Sequence, residues 1–151
     1  MTQALTPPAT TLYDLDFLAW TEATVGHLRS GNFDQLDLEN LIEEIEALGK
    51  SEKQELRSRL NTLLEHLLKR IYVALPDEYH GWECTIREQR KQLAWLLEDS
   101  PSLKSIWEKT FESAWRSALK DLRQEYRSYQ FPDTWQYSPA IDDLLNVNFW
   151  E

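Results

Sequence analysis

Cysteine is nearly missing from this chain. Cys84 stands alone, so no internal disulfide can form, and a reducing cytoplasm is the expected setting. Glycine is scarce too: four residues in 151, with no glycine-rich phosphate loop and no G-x-S-x-G nucleophile elbow among them. No apolar run approaches the roughly 18 residues of a membrane span, and no signal peptide opens the chain, so no membrane partner is expected. Positive charge is short as well. Sixteen Lys and Arg face 26 Asp and Glu, and a net charge of −10 repels the phosphates of a nucleic acid over most of the surface.

What is present favours helix. Helix formers dominate, and 42% hydrophobic with 12% aromatic content, seven Trp included, is far from a disordered composition. The length suits one helical domain with a buried core.

The longest readable element is DLENLIEEIEALGKSEKQELRSRLNTLLEHLLKRIYVAL, from Asp37 to Leu75, with no proline before Pro76. Leu38, Leu41, Ile45, Leu48, Leu56, Leu60, Leu63, Leu67 and Ile71 recur in steps of three or four along one face. Such a stripe is expected to be covered by other helices. Asp37 is the N-cap, with acidic residues in the first turn. Gly49 is the weak point, costing about 1 kcal/mol relative to Ala, and the stripe lapses at Glu52. Either a bend or a close helix contact is expected there.

Around this element the spacing predicts three more helices. The first runs from near Tyr13 to about Arg29, apolar on two flanks (Phe17, Trp20, Leu28 and Leu15, Leu18, Val25), and Gly31 suits the left-handed position that closes it. The third spans Trp82 to about Glu98. Ser100 as N-cap and Pro101 at the first helical position start the fourth, which carries Leu103, Trp107, Phe111, Ala114, Ala118, Leu122 and Tyr126. Short links make this an all-α, up-down-up-down four-helix bundle over 13–129. A loose arm (1–12) precedes it, and an extended aromatic tail (130–151) lies back on it, with a helical turn or two after Ser138-Pro139.

Several stretches together carry a family resemblance: DLENLIEEIEALGKSEKQEL, SRLNTLLEHLLK and WECTIREQRKQLAWLLEDSPSL, flanked by YDLDFLAWTEATVGHLRSGNFDQLD and FPDTWQYSPAIDDLL. They resemble the bacterial family called domain of unknown function 29, common in cyanobacteria, over about Tyr13 to Phe149. RIYVALPDEYHG, between Lys69 and Trp82, departs from its pattern. The resemblance implies an all-α, single-domain protein with no assigned activity.

Some polar residues sit where surface residues ordinarily do not. Glu44 lies at the edge of the apolar stripe beside Glu43, and Arg90 holds the equivalent place on the third helix, one turn after Ile86. A buried Glu44–Arg90 ion pair that fixes register is the first reading. The second is a pocket between the second and third helices, lined by Glu43, Glu44, His66, Arg87 and Arg90, as in a small enzyme or ligand sensor. His66, next to the stripe residue Leu67, lacks the Glu-x-x-His tetrad of a carboxylate metal site, so no metal and no cofactor are expected. Cys84 reads as a small packing residue. Basic residues of the fourth helix interleave with acids, Glu112 and Arg116 among them, as on a solvated face. Trp95, Trp115, Trp135 and Trp150 exceed what four seams require; the tail covers them or they form a binding patch. With no complete catalytic constellation, the expected role is protein–protein interaction or self-association rather than catalysis.

Overall fold

The computed structural model describes residues 11–151; residues 1–10 of the expected arm lie outside the described residues. Six α-helices occur among them, with short 3-10 turns and no strand: α1 Leu12–Leu15, α2 Phe17–Ser30, α3 Leu38–Tyr72, α4 Tyr79–Asp99, α5 Trp107–Glu125 and α6 Ile141–Asn146. The fold is all-α, as the composition indicates. The chain divides into two compact units, one ending at Lys50 and the other running from Ser51 to Glu151. The division falls one residue after Gly49, although α3 continues unbroken through it. A side chain at Gly49 would meet nothing within 4 Å, so no close helix contact explains this glycine.

In the first unit the expected opening helix is two. Asp16 adopts extended backbone (φ −152°, ψ 90°), ends α1, and accepts a hydrogen bond from the Ala19 N–H as the N-cap of α2. Gly31, at φ 74°, closes α2 as anticipated: its N–H donates to the Leu28 carbonyl and that of Asn32 to the His27 carbonyl, the paired bonds of a Schellman motif. Asp37 then receives the Asn40 N–H and caps α3. Trp20 and Thr24 are the buried residues of α2. Tyr13 stands edge-on to Trp20 at 4.9 Å, Phe17 stacks on it at 5.7 Å, and the Thr24 hydroxyl donates to the Trp20 carbonyl, so no polar group is stranded there.

The second unit holds the hydrophobic core. Leu56, Leu60, Leu63, Leu64, Leu67 and Leu68 of α3 are fully buried, with Ile86, Leu93 and Leu97 of α4 and Ala114, Ala118 and Leu122 of α5. Within this unit the cluster draws on α3, α4, α5, the turns between them and the tail. Pro76 opens a 3-10 turn rather than ending α3 directly, and α4 starts at Tyr79. Ser100 is also not a side-chain cap. Its hydroxyl donates to Glu52 at 3.1 Å, and Pro101–Ile106 is a 3-10 turn leading into α5. Glu52, which interrupts the apolar stripe, thus has a structural task in the second unit.

The tail is laid on the core as expected, with α6 two residues after Pro139. Indole N–H groups fix it: Trp107 donates to the Pro139 carbonyl at 2.9 Å and Trp115 to that of Asp133 at 3.1 Å. Arg123 reaches the Phe131 carbonyl and the Asp133 carboxylate. Phe131, Leu144 and Phe149 are buried as a result.

Candidate functional site

Each polar candidate has its own surroundings. Glu44 accepts the phenol hydrogen of Tyr13, while Glu43 is exposed. That hydrogen bond, then loss of hydration, then the charges of Glu44, Glu43 and Asp14 push the Tyr13 phenol up from 10.0 to about 12. Because the folded value is the raised one, the contribution of this phenol to stability is full below pH 10.0 and lost as pH rises through about 12. Alkaline titration followed by tyrosinate absorbance should lose a late step in Tyr13→Phe, and Glu44→Gln should bring that step back toward the ordinary value. An unchanged titration in that variant would remove Glu44 as the cause.

Arg90 finds its partners in the tail. Its Nε donates to the Leu144 carbonyl at 2.8 Å and its Nη2 to the Val147 carbonyl. Burial lowers its pKa. Within its own unit each group has a partner: the Tyr13 phenol donates to the Glu44 carboxylate, and the Leu144 and Val147 carbonyls accept from the Arg90 guanidinium. His66 hydrogen-bonds through Nδ1 to the Thr62 carbonyl at 2.8 Å, and burial lowers its pKa. It belongs to the helix's own packing.

Arg87 and Arg90 do line one open cleft, of about 440 Å³, with Glu83, Asn146, Asn148 and Trp150. His66 is not part of it, and Arg90's donors already point at carbonyls. The Arg87 guanidinium lies 3.9 Å from the Cys84 sulfur, which is also 3.6 Å from His80 Nε2. Cys84 is exposed rather than a packing residue, because the first turns of α4 direct Trp82 and Ile86 inward and Cys84 away. Among the described residues no group of three or more His, Cys, Asp or Glu side chains is arranged to hold a metal ion.

Three of the four surplus tryptophans are taken up by packing. Trp115 is buried, and Trp135 is half-buried among Phe111, Trp115, Tyr137 and Phe149. Trp150 is half-buried with the Arg70 guanidinium 5.3 Å from its ring. Trp95 alone of the four is exposed, with Lys91 near its face.

The feature that the sequence reading missed is aliphatic. Leu38, Ile45 and Leu48, expected beneath other helices, are exposed, Ile45 at 59% and Leu48 at 70%. Ile42 beside them, Leu15 at the end of α1, and Leu18 and Val25 on α2 are exposed too. On α2 only Trp20 and Thr24 are buried, and Phe17 and Leu28 of the same flank are exposed too. Between the helices runs an open groove of about 280 Å³, floored by Trp20, Val25, Leu28, Leu41, Ile45 and Leu48. Its one acidic lining residue is Glu44, whose carboxylate accepts from Tyr13. The clue was available in the first helix's two apolar flanks, since two helices cannot cover three apolar faces.

Together these features define an all-helical protein with a packed core in one unit and an open aliphatic groove in the other. The chain belongs to the family described as domain of unknown function DUF29, whose profile matches residues 12–150. That family carries no assigned activity. No curated protein and no solved structure matches the chain. Among the described residues no helix is long and apolar enough to cross a membrane.

Proposed function

We propose that the protein works by binding another protein, and that the aliphatic face of its first unit is the docking surface. One observation carries this reading: Leu15, Leu18, Leu38, Ile42, Ile45 and Leu48 lie in water on one small helical unit. Large apolar side chains exposed together on one unit commonly mark a recognition surface. The acidic composition and the absence of a complete catalytic constellation support the same reading. A photo-crosslinking residue at position 48, introduced into the full chain in its native cell, should link to a defined protein. The same residue at exposed position 88 should not, and Ile45→Ser should remove the product. Equal labelling at both positions, or none at 48, would refute the proposal.

A further inference from the structure

The second unit carries a cavity of its own, walled by aromatic rings, and we propose that it binds a quaternary ammonium group. Its volume is about 430 Å³, within the roughly 300–1,000 Å³ of small-molecule sites. Phe111 and Trp115 of α5 line it together with Trp135 and Tyr137 of the tail. The one polar atom of each indole is occupied: Trp115 donates to the Asp133 carbonyl at 3.1 Å and Trp135 to that of Ser138 at 3.2 Å. What the indoles offer a ligand is therefore ring surface. Trp135 meets Phe111 and Trp115 at 66° and Tyr137 at 62°. Stacked rings hide one another's faces, and rings meeting this steeply hide them less; an aromatic face attracts a cation. Among the described residues no Lys or Arg lies over the ring of Phe111, Trp115, Trp135 or Tyr137.

Charge fixes the sign of the ligand. Glu108 and Glu112, one turn apart on α5, also line the cavity. They stand about 60° and 100° round the helix from Phe111, on the side where Trp115 stands at about 40°. Both are exposed, and neither takes part in an ion pair among the described residues. Asp133, the third lining carboxylate, is held by Arg123 at 2.7 Å. The lining cation is Arg116, one turn beyond Glu112. The tail runs antiparallel to α5, with Pro139 bonded to Trp107 and Asp133 to Trp115, so Arg116 shares the Asp133 end and the Glu108 end stays anionic. The walls then select among cations. A primary ammonium is strongly hydrated and gives up its water only for direct acceptors, which ring faces lack. A methylated nitrogen carries no N–H, needs no acceptor, and gains from apolar walls beside a carboxylate. Such a group occurs on free choline or betaine and on trimethylated lysine of a protein.

Isothermal titration of the full chain compares three probes: choline, the neutral alcohol in which carbon replaces its nitrogen, and a peptide carrying trimethyllysine. Choline should bind at least about tenfold more tightly than the alcohol, and less tightly as salt is added. Tyr137→Leu, at a ring already 38% exposed, should weaken choline at least about fivefold. Glu108→Gln with Glu112→Gln should weaken it and flatten the salt dependence; both side chains are exposed, so this variant reads charge with the fold intact. Trp95→Leu, at an exposed ring outside the cavity, should leave choline binding unchanged. A peptide that binds more tightly than choline assigns the site to a protein side chain, and an equal or weaker peptide assigns it to the free molecule. No binding of either cation, equal binding of the alcohol, full affinity in both the Tyr137 and glutamate variants, or an equal loss in Trp95→Leu overturns the proposal.

Discussion

Leu63→Ala should lower the stability of the protein by about 2–5 kcal/mol, while Leu48→Ala, the same substitution on the same helix, should change it by no more than about 0.5 kcal/mol. The two leucines belong to one apolar stripe of α3, and sequence spacing alone treats them alike. Leu63 is fully buried among the core leucines and the packed faces of α4 and α5. Truncating it removes apolar burial and leaves a void that close-packed neighbours fill only in part. Leu48 is mostly in water, so its removal takes away little burial and opens no cavity. Urea unfolding of both variants, followed by circular dichroism, reads the difference as a shift in midpoint at constant slope. Equal shifts would place both residues in one interior, contrary to the structure.

Arg90→Ala should cost about 2–3 kcal/mol, the scale of hydrogen bonds made by a charged group. The carbonyls of Leu144 and Val147 lie at the end of α6, where helical geometry leaves acceptors without a partner. A guanidinium supplies two donors in a fixed fork and a positive charge at the negative end of the helix. Its Cζ also lies 6.0 Å from the Phe149 ring. Removing it strands two carbonyls and loosens the segment that carries Leu144 and Phe149 into the core. Proteolysis should then cut the tail at rates well above wild type. Arg90→Lys, with no planar fork, should recover part of the loss. A midpoint and a cleavage rate both unchanged in Arg90→Ala would show that the tail is held by its aromatic residues alone.

Much of the architecture is legible in the sequence because it depends on local chemistry. Gly31 ends α2 since it reaches positive φ cheaply, and Pro139 stands just before the tail helix, where its missing N–H costs no helical hydrogen bond. The four-residue spacing of leucines from Leu56 to Leu68 announces the core face of α3. Periodicity, however, reports that a face is apolar and not whether anything covers it. Leu38, Ile45 and Leu48 carry the same signal as Leu60 and Leu67 and have the opposite exposure. Arg90 shows a second limit. Its position beside Ile86 suggests a charged partner, whereas its acceptors are backbone carbonyls, which every residue possesses. Asp16 shows a third: an aspartate inside an apolar pattern reads as one polar position, yet it breaks the helix and caps the next.

The bare face of the first unit is tested most directly by methyl NMR of the purified protein at low concentration with a soluble paramagnetic agent. The methyl signals of Leu18, Ile45 and Leu48 should broaden strongly, and those of Leu60, Leu63, Leu64 and Leu67 should remain sharp. If Ile45 and Leu48 are as protected as the core leucines in a protein shown to be monomeric, the groove is closed and no docking surface exists there.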